Sequence, residues 1–358
     1  MNLIDLFCGC GGFSNGAEAA GFKTSLAIDV DPILTSSVGV NHPGTLLKLG
    51  DISQLDGNLL HQYAEKPIDI VIGGPPCQGF SSMGHRRVDD PRRSLLGHFY
   101  RLVAEVKPRL FIMENVEGLG YADARATLDE ALQIVPGRYR IVGPMVLDAA
   151  NFGAATKRKR LFVIGYDEEY VDPLNVSDFS DVRIPPATVR DAIYDLQNAT
   201  ELGVIDGHDF WQIEHASAAS DYAQRLHSEL LQFTGNQRTS HKDNVVERFK
   251  AVPQGGKDAV GRYPRLAWDG QCPTLRAGTG SDRGSFQAVR PLHPDEPRVI
   301  TVREAARLQG FVDDFKFHPT IWHSFRMIGN SVSPIIAREI FRIIAPRLGV
   351  EAERIAAE

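Results

Sequence analysis

The most chemically pointed feature of this 358-residue chain is Cys77, which follows Pro75 and Pro76 in the run GGPPCQGF. The preceding IDIVIGG reads as a short buried strand, and prolines fix the backbone, so the thiol is held where strand gives way to loop. In open α/β folds that position is the carboxyl end of the sheet, where ligands bind. Farther along, IMENVEGL sets Glu114 at the end of another apolar run, so thiol and carboxyl should converge on one rim. An ionised thiol is a strong nucleophile and a carboxyl group can carry a proton.

A second chemical feature is DLFCGCGGFSNG, where an apolar run feeds Gly9, Gly11 and Gly12 into a helical stretch. Glycines there permit a sharp turn and close approach of a ligand to the backbone. The spacing fits neither the dinucleotide G-x-G-x-x-G nor the P-loop, whose Lys and Ser/Thr are absent. That favours a ligand without phosphates at the turn, and S-adenosylmethionine is such a ligand. Asp29, ending the next strand, is placed for ribose hydroxyls, and Asp51 for an adenine amino group. Cys8, Cys10 and Cys272 read as small packing residues, and no His/Cys spacing suits a metal.

The elements that must position these groups alternate. NLIDLF, TSLAIDV, IDIVIGG and RLFIMENV read as strands, with helices through Ser14–Ala20 and Leu95–Val106 between them. Strand–helix alternation implies an α/β fold with a mostly parallel sheet. YRIVGPMVL and RLFVIGY read as a closing hairpin. From 167 to 298 the chain is richer in Gly, Pro, Asp and Gln, with weak periodicity, before VITVREAARLQGF and SPIIAREIFRIIAPRL restore amphipathic helices. No internal repeat, signal peptide or membrane span is read. Trp268 and Trp322 read as packing residues.

The net charge is -6, yet base is clustered: Arg86 to Arg101, Lys157 to Arg160, and the stretch from Gln237 to Arg290. A basic cleft on an acidic body is therefore expected, because local field governs steering.

Taken in order, these motifs resemble the cytosine-5 DNA methyltransferase family, of the bacterial restriction-modification type. DLFCGCGG with Asp29 and Asp51 is similar to the cofactor motifs, PPCQGFS to the nucleophile motif and ENV to the acid motif. NFGAATKRKRLFVIG resembles the Arg-rich motif, and REAARLQGF and GNSVSP the two closing motifs. The resemblance spans roughly two-thirds of the chain, all but the insert. It departs at Ala155-Thr156, where the family usually has Pro-Gln before the Arg-x-Arg.

The resemblance implies a Rossmann-like S-adenosylmethionine-dependent methyltransferase sheet with a second, irregular target-recognition domain. Residues 1–166 plus 299–358 would form the catalytic and cofactor-binding domain and 167–298 the target-recognition insert. It implies Cys77 as nucleophile toward carbon 6 of a flipped cytosine, Glu114 at nitrogen 3, and Arg158 and Arg160 orienting Glu114 and the base. Phe7, Ile52, Pro76, Leu95, Asn330 and Val332 join Gly9, Gly11, Gly12, Asp29 and Asp51 as cofactor contacts. Arg92, Arg238, Thr274 and Arg276 are the leading DNA contacts, with Arg262, Arg265 and Arg283 as further candidates. Double-stranded DNA is the expected partner, and a cognate restriction endonuclease is a further candidate for which the sequence gives no evidence of direct contact; a monomeric, cytoplasmic protein without metal is expected. A nicotinamide-dependent oxidoreductase fits the first hundred residues alone, and a catalytically silent relative is opposed by the retained Cys77, Glu114, Arg158 and Arg160. RNA methyltransferases of the same superfamily usually carry a much smaller insert and a Cys-Phe-Thr triplet absent here.

Overall fold

The computed structural model describes residues 1–76, 93–214, 219–277 and 290–350. The chain forms two compact units, one of Met1–Asp148, Lys159–Arg183 and Val332–Glu358, the other of Ala149–Arg158 and Ile184–Ser331.

The first unit is built on strands β1 (Asn2–Leu6), β2 (Lys23–Asp29), β3 (Leu46–Leu49), β4 (Ile70–Gly73), β5 (Leu110–Val116), β6 (Tyr139–Asp148) and β7 (Lys159–Asp167). Their order is β3-β2-β1-β4-β5-β7-β6. The first five are parallel, while β7 runs antiparallel to both β5 and β6. The expected strands and closing hairpin are therefore present. β3 escaped sequence reading because it is a short edge strand with Leu46 and Leu49 exposed. β4 and β5 are near-continuous apolar runs because helices cover both faces of a parallel sheet.

Chain direction across the sheet reverses between β1 and β4, which makes their carboxyl ends the switch point where such folds bind ligands. The helix Gly12–Glu18 follows β1 and packs on the last helix, Pro334–Ile344. Contact is close enough that a Cβ on Gly16 would lie 2.4 Å from the Ala337 Cβ. Phe13 and Phe22 meet Phe341 across the same joint. Beneath the glycine turn, Asp5 of β1 is buried and accepts a 2.6 Å hydrogen bond from the Ser14 hydroxyl. Burial raises the Asp5 carboxyl to about 7, despite the Ser14 bond and the His42 ring, which act to lower it.

The second unit carries a three-stranded antiparallel sheet of β8 (Thr200–Ile205), β9 (His208–Gln212) and β10 (Gln232–Thr234). It also holds the helices Val302–Gln309 and Ile321–Asn330. This unit begins its main stretch at Ile184, runs to Ser331 and takes in 149–158 as well. The physical reason lies in REAARLQGF. Its arginines are fully buried, and Arg303 donates to the carbonyls of Thr234, Val312 and Phe315. Arg307 makes a fork to Asp313 at 2.7 Å through both Nε and Nη2, and reaches Asp195 at 3.0 Å. Asp195 is also bonded by His227. Burial alone would raise its carboxyl, but the His227 bond and the Arg307 charge hold it below its usual range. These bonds tie the helix to the insert. No helix among the described residues is long and apolar enough to cross a membrane.

Two outcomes are expected. Arg307→Met removes the guanidinium shared by two buried carboxylates, leaving Asp195 with His227 and Asp313 with the more distant Arg303, and should cost about 3–5 kcal/mol, measured by urea denaturation. Asp5 has a folded pKa above its unfolded value, so its contribution is complete below the unfolded pKa and is lost as pH rises toward 7. Melting temperatures should therefore move in favour of Asp5→Asn relative to the parent between pH 4 and 8; parallel pH profiles would contradict this.

Candidate active site

The rim of the first unit is set by register. Leu6 pairs with Ile28 and Gly73, and Gly73 pairs with Met113, so β2, β1, β4 and β5 end side by side. Three inter-strand spacings bring Asp29, the glycine turn, Gly74–Pro76 and Glu114 within about 14 Å along one edge.

At the first position Phe7, Gly9 and Gly11 all take left-handed backbone, with φ of 64°, 53° and 86°. This reverses the chain between β1 and the helix begun by Gly12. A Cβ on Gly9 would stand in open space, so the turn presents bare backbone there, whereas one on Gly11 would strike His42 Nε2 at 2.6 Å. The Asp29 carboxylate closes the turn, accepting from the amides of Gly9 and Asp31 at 2.9 Å each. Burial raises its pKa while those amide bonds oppose the shift. Asp51 is exposed next to the end of β3, which pairs with β2, and caps the turn Ile52–Gln54. Its carboxyl is lowered by the Ser53 amide. Ile52 turns its side chain into the core. Bare glycine backbone beside two acids suits a cationic, hydroxyl-bearing ligand.

Glu114 is 8% exposed near the end of β5. Val116 pairs directly with Arg160 of β7, which makes Glu114 and Arg160 diagonal neighbours on one face, within reach of long side chains. Their atoms meet at 2.9 Å, Nε to Oε1. Gly74 leaves room for this carboxylate, since a Cβ there would lie 3.1 Å from Oε2. Asn115, which sequence reasoning passed over, donates its side-chain amide to the Pro75 carbonyl at 3.0 Å. It therefore ties the strand of the acid to the proline pair that precedes Cys77. Its place inside ENV was the available signal.

Arg158 precedes β7 and lies in the second unit. It is 1% exposed, and its guanidinium donates to the carbonyls of Leu275, Gly329 and Ser331 at 3.1, 2.9 and 2.6 Å. The departure at Ala155-Thr156 is a built joint: Cys272 donates its amide to the Ala155 carbonyl, Lys157 donates its own to the Cys272 carbonyl, and the Thr156 hydroxyl also reaches Cys272. Thr274 donates its hydroxyl to the Lys157 carbonyl at 2.6 Å.

Cys77, Arg92 and Arg283 lie outside the described residues. Pro76 and Leu95 are half-buried, Val332 is buried before the last helix, and Asn330 is exposed at the end of a helix of the second unit. Arg276 and Arg262 are exposed or half-exposed, and Arg238 pairs with Glu296 at 3.1 Å. Arg265 is buried and donates to the carbonyls of Phe249, His293, Pro294 and Glu296, so its guanidinium joins separate backbone segments. Trp268 packs as expected, against Tyr194 and His293. Trp322 is 45% exposed, with the His323 ring edge-on at 5.1 Å and the Arg326 guanidinium 5.1 Å from its ring.

Comparison with known proteins accords with this geometry. The family model for C-5 cytosine-specific DNA methylase matches residues 1–345. The type II methyltransferase M.XorII of Xanthomonas oryzae is 38% identical over 360 residues, covering 94% of this chain and 82% of that protein. A crystal structure described as a prophage-encoded DNA modification methyltransferase of E. coli superposes with a TM-score of 0.85 at 37% identity, covering 98% of this chain and 99% of the other. The Dnmt2 methyltransferase of S. pombe, at 18% identity and a TM-score of 0.63 over 98% of this chain and 99% of its own, shares the fold. The sheet is thus the Rossmann-like sheet of a methyltransferase. The chain belongs to the C-5 cytosine-specific DNA methylase family and is a DNA cytosine-5 methyltransferase.

Proposed function

We propose that this enzyme methylates carbon 5 of a cytosine swung out of a specific duplex sequence, through a transient bond to Cys77, with S-adenosylmethionine as donor. The observation that carries this reading is the Glu114–Arg160 pair standing on the same rim as the Pro75-Pro76 pair that leads into Cys77. Phe7, Gly9, Gly11, Gly12, Asp29, Asp51, Ile52, Pro76, Leu95, Asn330 and Val332 are assigned to the donor. When bound, S-adenosylmethionine would supply an electrophilic methyl group on its sulfonium.

Cytosine carbon 5 is a poor nucleophile until the ring is activated. The Cys77 thiolate adds to carbon 6, and the electron pair of the ring double bond is pushed toward carbon 5 and nitrogen 3. Glu114 protonates or hydrogen-bonds nitrogen 3, which stabilises that charge. Arg160 holds the carboxyl in place and supplies positive field. After transfer, solvent takes the carbon 5 proton, its electron pair re-forms the ring double bond as the sulfur–carbon bond breaks, and nitrogen 3 returns its proton to Glu114, leaving the free thiolate. The base inside a duplex is out of reach of these groups, so it must leave the stack.

Arg92, Arg238, Thr274 and Arg276 are assigned to DNA contacts, the last three from a stretch rich in turns and basic side chains. The similarity to type II methyltransferases supports a role in restriction-modification, with a companion endonuclease recognising the same sequence. Bisulfite sequencing of a plasmid from cells expressing the protein identifies the target cytosine and its flanking sequence together.

Fluorine at carbon 5 cannot depart as a proton does. A duplex with 5-fluorocytosine at the target should therefore form a complex with the wild-type enzyme that survives denaturing electrophoresis. Cys77→Ser should form none and should not methylate, while still shifting DNA in a native gel; methylation at the parent's rate would remove the mechanism. Glu114→Gln should lower kcat by about 10²–10⁴ with DNA binding retained. Arg160→Lys should fall in the same direction by less, and an unchanged kcat in both would exclude the pair from the chemistry.

A further inference from the structure

We infer that Arg158 is a positioning residue that sets the presentation of Thr274–Arg276 to DNA, not a contact to the target base; this deepens the proposed function and rests on it. Its guanidinium lies at a meeting of two segments of the second unit. The carbonyls of Gly329 and Ser331 belong to the C-terminal end of the helix Ile321–Asn330, where the last carbonyls have no partner within the helix. A cation there satisfies them and complements the helix dipole. The same fork also takes the Leu275 carbonyl, between the two residues assigned to DNA.

Three further features show that this joint is built. A Cβ on Gly329 would lie 2.3 Å from the Ala277 nitrogen and 2.4 Å from the Arg276 carbonyl carbon, so the helix end and the 276–277 backbone touch. Thr274 is pinned by its hydroxyl to the Lys157 carbonyl, one residue before Arg158. Cys272, fully buried, is laced to Ala155 and Lys157 through its backbone. Arg276 itself is exposed. A lysine at 158 would keep the charge but cannot span carbonyls on two segments with one ammonium.

The test measures methylation kinetics of Arg158→Lys and Gly329→Ala on a duplex carrying the sequence found by bisulfite sequencing, with a one-base variant of it as competitor. Both variants should raise KM for DNA by about tenfold or more and weaken discrimination against the competitor, and Gly329→Ala should keep kcat at saturating DNA within about threefold of the parent. Loss of kcat by about a hundredfold in Arg158→Lys at unchanged KM would place Arg158 at the base and overturn the inference. If Arg158→Lys fails to fold by circular dichroism, Gly329→Ala decides, because it displaces Arg276 and Ala277 with Arg158 intact; an unchanged KM there also overturns it. Failure of the enzymatic reading is distinguishable, since the wild-type protein would then neither methylate nor trap 5-fluorocytosine.

Discussion

A carboxylate as buried as that of Glu114 is not at ease in a protein interior, because desolvation penalises its charged form. The Arg160 guanidinium answers that cost from the neighbouring strand, and the sheet order makes this possible. β7 is inserted antiparallel between β5 and β6, which sets Val116 opposite Arg160 and leaves Glu114 one diagonal away. The same order places the carboxyl ends of β1, β2, β4 and β5 in one row. The acid, the proline pair and the glycine turn thus share a rim because of strand register.

The second unit solves a different problem with the same residue type. Its backbone is poor in ladders, and carbonyls in irregular chain must find donors when buried. Arg158, Arg265 and Arg303 each donate to carbonyls from separated segments, and Arg307 joins a carbonyl to two carboxylates. A guanidinium suits this work because its planar fork offers several donors at fixed angles. Part of the basic character that reads as DNA-seeking in the sequence is therefore consumed internally. Among the described residues, the arginines exposed to solvent, such as Arg276, are therefore fewer than composition suggests.

Much of the site was legible because it is encoded locally. The strand-ending acids Asp29 and Glu114, the left-handed glycine turn and the β6–β7 hairpin follow from apolar runs bounded by Gly and Pro, and short-range patterning dictates each. β3 was not legible, since a four-residue edge strand with both outer leucines exposed has no buried face to leave a pattern. Nor was the affiliation of Val302–Gln309, whose amphipathic period says that one face is buried but not against what.

What the sequence determined by itself is the kind of chemistry: a cysteine directly after two prolines, a carboxyl at a strand end, a glycine turn without phosphate-binding residues, and their order along the chain. Tertiary structure alone decided how the two arginines of Arg-x-Arg divide. Both are alike in type and spacing, yet Arg160 lies within β7 and is carried to the acid by the ladder, while Arg158 lies just before it and is drawn to the open carbonyls of a helix end. Strand boundaries and orphaned carbonyls are properties of long-range pairing, and a linear pattern does not contain them.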